Sequence, residues 1–330
     1  MEFIGHVDTK ERIEVAVNSA LKRNTAIPHI LLSGAAGCGK TTTAKWLSNL
    51  GGYDYLPASP LDLKRKKDVY SLLEKLNTNG YDKKGNRVKK VIPTILFFDE
   101  IHQMPVIAQE ILGLAMERFI LEADVPNKLI WLPYFSIVGA TTDDGKLTKP
   151  FRDRFKLKFV YEPYRDEDMY KIVNFHASKN GLPITSSAVK DITQRSRGVP
   201  RVMVNYLETI RDIMISEGAE IITEDLVNES FDKMGVDKTG LTKIEIKLLK
   251  ALFSAGTPIG LENLAIITNE SAKTIGQTIE PFLIRRGLIV RTGKGRTITE
   301  FGIEYLEEEG HLESKASKNK EFIDANYERI

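Results

Sequence analysis

Apolar positions in the first half of this chain fall into short continuous runs separated by helical stretches. Pro28-His29-Ile30-Leu31-Leu32-Ser33 is one run, Thr94-Ile95-Leu96-Phe97-Phe98 a second and Phe135-Ser136-Ile137-Val138-Gly139 a third. Runs that are apolar throughout predict strands buried on both faces, and hence a parallel sheet covered by helices on either side. Residues 11–24 place Ile13, Val15, Val17, Ala20 and Leu21 at helical spacing, and Thr41–Leu50 reads as a helix directly after a glycine-rich segment. Two apolar runs between Phe119 and Leu132 flank Asp124-Val125-Pro126-Asn127, the pattern of a β-hairpin (119–132) projecting from the sheet.

After Pro163 the period becomes helical. Helices are predicted over 166–179, 185–194, 200–216 and 223–233, followed by a polar linker, Gly235–Gly240. Residues 242–254, 260–267 and 271–286 then read as three more helices. Leu288–Arg291, a Gly293-Lys294-Gly295 turn and Arg296–Thr299 read as a hairpin. Three helices and a hairpin outline a winged helix. The expected segments are an α/β domain (1–162), a helical domain (163–237), a winged helix (238–308) and a charged tail (309–330).

Composition narrows the class. A chain of 330 residues exceeds one small core, and 42% hydrophobic with 28% charged residues is ordinary for a globular protein. No apolar run approaches a membrane span, and Met1–Gly5 lacks the order of a signal peptide. The single cysteine, Cys38, excludes an intrachain disulfide framework and a cysteine-only zinc site, so a reducing cytoplasm is the expected location. A net charge of +2 excludes a general polyanion binder. Lys64–Lys67, Lys83–Lys90 and the Arg285–Arg296 region are nevertheless basic clusters, readable either as solvated surface or as nucleic-acid contact.

The chemistry concentrates in a few strings. Gly34-Ala35-Ala36-Gly37-Cys38-Gly39-Lys40-Thr41 fits G-x-x-x-x-G-K-[ST], between a strand and a helix. Such a loop turns backbone N–H groups onto phosphate oxygens. Lys40 neutralises the phosphates and Thr41 helps to hold Mg²⁺. Asp99, at the end of the second strand, completes the Mg²⁺ shell, and Glu100 is placed to polarise the attacking water, a pair that favours hydrolysis of ATP over mere binding. Thr141 and Thr142 end the next strand beside the same site, as candidate γ-phosphate sensors. Arg152 and Arg154 suit either a local salt bridge with Asp153 or an arginine finger that enters a neighbouring subunit. Arg201, at the start of a helix, suits a surface position or a second contact to the γ-phosphate. His29, His102 and His176 lack metal-ligand spacing and read as structural.

In order along the chain, Phe3-Ile4-Gly5, Pro28–Leu32, Gly37–Thr42, Asp99-Glu100-Ile101-His102, Gly139–Thr142, Phe151–Phe155, Arg195–Arg201 and Glu280–Ile284 resemble the RuvB family. These are AAA+ motors that drive Holliday-junction branch migration, and the resemblance runs from about residue 3 to 306. It implies an AAA+ core, a helical lid and a C-terminal winged helix, assembled as a hexameric ring on duplex DNA. It further implies Gly34, Gly37, Cys38, Gly39, Lys40, Thr41, Thr42, Ile4 and Tyr161 at the nucleotide, with Thr41 and Asp99 at Mg²⁺. Glu100 would be the base, Thr142 or Thr141 the first sensor, Arg154 in preference to Arg152 the trans-acting finger, and Arg201 the second sensor. Arg291, Lys294 and Arg296 would be the wing residues on DNA, and hairpin 119–132 the contact to a RuvA-like partner.

The sequence departs from the family in four ways. It has no Arg-Pro pair ahead of Ile4-Gly5, Ala35-Ala36 replaces two prolines, the hairpin is short, and Lys64–Lys90 is unusually basic. The competing functional reading is a non-motor AAA+ switch, of the kind found among replication initiators and clamp-loader subunits.

Overall fold

The computed structural model describes residues 3–76, 93–122 and 129–312. The basic run Lys83–Lys90, the turn Asp124–Asn127 and most of the charged tail lie outside the described residues. The chain divides into two compact units, Met1–Asp212 and Ile213–Ile330.

The first unit runs α1 (Val7–Arg23), β1 (Ile30–Gly34), α2 (Lys40–Gly51), β2 (Asp54–Ala58), α3 (Lys66–Glu74), β3 (Thr94–Phe98), α4 (Val106–Arg118), β4 (Ile120–Glu122) and β5 (Leu129–Trp131). It continues through β6 (Phe135–Thr141), α5 (Lys149–Asp153), β7 (Leu157–Tyr161), α6 (Asp166–Lys179) and α7 (Ser186–Arg195) into α8 (Pro200–Glu217). Five strands form one parallel sheet in the order β2-β3-β6-β1-β7. Every residue of β3 and β6 is buried, as their unbroken apolar runs predict. Alternate side chains enter opposite layers. Leu96 and Phe98 pack with Leu73, Leu112 and Phe135 toward α3 and α4, while Ile95 and Phe97 pack with Ile13, Ala44 and Leu47 toward α1 and α2.

Two strands escape the sequence pattern. β2 and β7 are the sheet edges, covered less completely, so their apolar residues do not form a run: in β7 Phe159 and Tyr161 are buried while Lys158 and Val160 are exposed. The first helix also begins four residues before its predicted start, after His6 in a left-handed conformation (φ 47°). The hairpin is present as β4–β5, with Ile120 opposite Trp131 and Glu122 opposite Leu129.

His29 ties three elements together inside this unit. Its Nδ1 accepts the Ile137 N–H at 2.9 Å, so Nε2 carries the proton and donates to the Met116 carbonyl at 3.1 Å. Burial, helped by Lys156, holds its pKa down at about 4. The folded value therefore lies below that of the unfolded chain. As pH falls from about 6.5 toward 4, the unfolded state takes up a proton that the folded state refuses, and stability drops through that window. The expected loss is about 2.5 kcal/mol by about pH 4.5. Urea unfolding of the native chain and of His29→Gln at neutral and acid pH checks this: the acid-dependent loss should shrink in the variant, and equal losses would exclude His29 as the cause.

The second unit contains α9 (Glu224–Met234), α10 (Lys243–Ala255), α11 (Leu261–Thr268), α12 (Ala272–Thr274), α13 (Glu280–Arg285), a two-stranded wing of β8 (Ile289–Thr292) and β9 (Gly295–Ile298), and α14 (Glu300–Glu308). A reciprocal cap between Thr242 and Glu245 starts α10. Its apolar face joins Leu264, Leu283, Ile298 and Leu306 in one core. The continuous helix expected over 271–286 is interrupted by a π-helical turn, Ile275–Ile279. Pro281 has no N–H for the carbonyl four residues back, and the widened turn accommodates that loss. The expected linker is an ordered turn: Asp237 Oδ1 accepts the Thr239 N–H at 2.9 Å and the Leu241 N–H at 2.7 Å, and Asp237 also binds the Tyr305 hydroxyl.

Candidate functional site

The glycine loop leaves the end of β1 and enters α2 at Lys40. Two of its glycines are sterically required. A Cβ on Gly34 (φ +134°) would lie 2.2 Å from the Tyr161 carbonyl oxygen, and one on Gly37 (φ +83°) would lie 2.8 Å from Arg201 Cβ. The loop is thereby fitted between β7 and the start of α8. Ala36, Gly37, Gly39, Lys40, Thr41 and Thr42 line one wall of a cleft of about 510 Å³. Asp99, Glu100, Arg201 and two residues missed by the sequence reading, His176 and Asn205, also face this cleft.

Within the loop the Lys40 ammonium donates to the carbonyls of Gly34 at 2.7 Å and Ala35 at 2.8 Å. Burial lowers its pKa, an effect opposed by the carboxylates of Glu100 and Asp99 and reinforced by Arg201. A buried ammonium satisfied only by carbonyl oxygens suits an incoming anion, whose charge would restore its stability. Thr41 and Asp99 bring a hydroxyl and a carboxylate to the same cleft, hard oxygen donors of the kind Mg²⁺ prefers.

The second wall is built from the ends of β3 and β6, which are register neighbours in the sheet. Asp99 Oδ1 accepts the Glu100 N–H at 3.1 Å, and Glu100 takes a left-handed conformation (φ 47°) that begins a short turn, Ile101–Gln103. Glu100 Oε2 accepts the Thr142 N–H at 3.1 Å and its hydroxyl at 2.9 Å, and lies 3.1 Å from His102 Nδ1. That nitrogen also lies 2.9 Å from Thr141 Oγ1, which accepts the Asp143 N–H. Of the two threonines, Thr142 thus touches the acidic pair directly and buried Thr141 reaches it through His102. The histidines divide as well: His29 is structural, whereas His102 and His176 stand at the site.

Several expected site residues do not line the cleft. Tyr161 is only 2% exposed, and its hydroxyl is bonded to Thr43 Oγ1 at 2.7 Å. It braces the loop and α2 from behind instead of facing the cleft, because β7 turns that side chain into the core. Cys38 is likewise wholly buried. Ile4 lines a separate groove with Tyr170, Asn174 and Phe175 of α6. Arg154 also stands outside the cleft. Its Nε lies 3.1 Å from Glu117 Oε1, an ion pair by distance though off the line of the N–H bond, and its Nη1 donates to the Pro150 carbonyl at 2.7 Å. The guanidinium passes over Gly113, where an added Cβ would lie 3.2 Å from it.

In the second unit, Arg291 and Lys294 project from the wing and are exposed. Arg296 does not: the expectation that its side chain meets DNA is corrected by its burial. It is 7% exposed, and its Nε and Nη2 both donate to Glu280 Oε2, at 3.1 and 2.8 Å. Its position in β9 turns it inward, where its backbone also exchanges two hydrogen bonds with Ile259. Arg296→Ala would strand a buried carboxylate and should destabilise the second unit by about 3 kcal/mol. Thermal unfolding of the variant beside Lys294→Ala checks this, and equal stabilities would refute the pairing.

Residues 1–160 match the family described as "Holliday junction DNA helicase RuvB P-loop domain", 164–237 the "RuvB AAA lid domain" and 238–307 the "RuvB C-terminal winged helix domain". A Holliday junction branch migration complex subunit RuvB from Microcystis aeruginosa is 35% identical over 329 residues, covering 97% of this chain and 87% of that protein. The corresponding subunit from Fervidobacterium nodosum is 34% identical over 314 residues, covering 92% and 86%. The solved structure of the Thermotoga maritima RuvB Holliday junction branch migration motor superposes with a TM-score of 0.77 at 29% identity, covering 92% of this chain and 95% of that one. By sequence and by fold alike, the chain is a member of the RuvB family.

Proposed function

We propose that this protein is an ATP-dependent DNA translocase that drives branch migration of Holliday junctions as a hexameric ring on duplex DNA. The observation that carries the reading is the division of the arginines: the loop, Asp99, Glu100 and Arg201 share one cleft, whereas Arg154 stands outside it beside Glu117, where it is available to the site of a neighbouring chain.

In this reading the Lys40 ammonium exchanges its two carbonyl partners for phosphate oxygens. Thr41 and Asp99 would hold Mg²⁺, which would supply charge neutralisation to the phosphate oxygens. Glu100 accepts a proton from the water that attacks the γ-phosphorus as the bond to the departing ADP oxygen breaks, and the Thr142 N–H and hydroxyl position its carboxylate. Arg201 contacts the phosphates from α8. Arg291 and Lys294 bind the DNA backbone, a contact that gives affinity without sequence choice, as a motor moving over any sequence requires. The β4–β5 hairpin is the surface proposed for a RuvA-like partner, and the cytoplasm is the proposed compartment.

The test is migration of a synthetic four-way junction with ATP, in the presence and absence of a junction-binding partner. Junction-dependent product and DNA-stimulated hydrolysis are expected. Absence of both, together with a monomer tightly holding ADP, would favour the non-motor switch.

A further inference from the structure

The lid-side wall of the cleft carries a histidine that the phosphate chemistry above does not use. His176 lies in the last turn of α6, half-buried, and faces the same space as Lys40, Thr41, Arg201 and Asn205. Its backbone is occupied, since the carbonyl accepts the Asn180 N–H at 3.1 Å and Asn180 Nδ2 at 2.8 Å. Its ring is not: Phe175 lies edge-on at 5.6 Å, and among the described residues neither ring nitrogen has a hydrogen-bond partner.

The surroundings decide its charge. Burial lowers its pKa from the ordinary value, Lys179 on the same helix lowers it further, and Glu208 on α8 opposes both. Lys40, Arg201, Asp99 and Glu100 are the charged groups across the cleft. The imidazole is therefore mainly neutral at neutral pH while no anion is present. A nucleotide polyphosphate brings several negative charges into a space of about 510 Å³, which favours the imidazolium and gives its free N–H groups acceptors.

We propose that His176 is a direct contact to the nucleotide polyphosphate from the lid-side wall, taking up a proton from solvent as the nucleotide binds. The inference rests on the ATP-site reading above. It gives α6 its own electrostatic response to occupancy, separate from that of Arg201 on α8.

Imidazole resonances of the full chain, followed by NMR over a pH titration with and without Mg²⁺-ADP, test it. The His176 signal is identified by its loss in His176→Gln. On ADP binding that signal should shift and its titration midpoint should rise by about one unit. In calorimetry, His176→Gln should bind ADP about tenfold more weakly near pH 6.5 and lose the proton uptake seen as a dependence on buffer ionisation heat. A His176 signal that does not move while calorimetry shows ADP bound would overturn the inference and leave the ATP site standing. Failure of the native chain to bind ADP at all would overturn the ATP-site reading and this inference with it.

Discussion

Arg154→Ala should lower ring-dependent ATP hydrolysis by about 10³–10⁵-fold while leaving nucleotide binding to a single chain nearly unchanged. The two halves of that expectation have separate causes. Binding survives because Arg154 does not line its own cleft and sits instead with Glu117 and the Pro150 carbonyl. Hydrolysis fails because a planar guanidinium on the γ-phosphate stabilises charge that develops in the transition state, which a lysine reproduces poorly. Mixing gives the decisive measurement. Chains carrying Arg154→Ala retain a complete Glu100, and chains carrying Glu100→Gln retain a complete Arg154. Rings assembled from both should recover part of the turnover that neither variant has alone. A mixture no more active than its components would mean that Arg154 serves its own chain.

Glu100→Gln should retain ATP while cutting hydrolysis by about 10²–10⁴-fold, the usual loss on removing a general base. Gln preserves the shape and can still accept the two Thr142 hydrogen bonds, at 3.1 and 2.9 Å in the native chain. The phosphate loop and Asp99 are untouched. Single-turnover measurements with radiolabelled ATP separate retention from cleavage, and normal turnover in the variant would remove Glu100 from the role of base. Loss of both binding and turnover would instead show that the carboxylate network holds the cleft open.

What the sequence could convey about this site follows from what local patterns encode. β3 and β6 are buried on both faces, so each reads as an unbroken apolar run, and the acids and threonines at their ends could be placed beside the loop from sequence alone. β2 and β7 sit at the edges, where one face meets water or a loosely packed layer, and their signal is diluted. The helix over 166–179 is legible from its period, with the same limits in the structure, yet the face that meets the cleft depends on how α6 docks, and nothing in its period marks His176. Arg296 shows the converse failure. A basic residue in a predicted wing suggests DNA, but strand alternation turned it inward onto Glu280, sixteen residues earlier in the chain. The partnership of Glu117 with Arg154 was hidden for the same reason, since it joins the last turn of α4 to the end of α5.

The strand order also sets a schedule for the protein's synthesis. β1 lies between β6 and β7, and its partners are residues 138–141 on one side and 157–161 on the other. The first strand to leave the ribosome thus has no sheet neighbour until more than a hundred further residues are made. Gly34, which pairs with Tyr161 in the finished sheet, gains that neighbour only once β7 has been made. At about 5–20 residues per second, the nascent glycine loop waits on the order of ten seconds before it can grip a phosphate. Nucleotide capture by this chain is therefore a late event in its biogenesis, and the apolar face of β1 is a surface that chaperones would have to cover in the meantime.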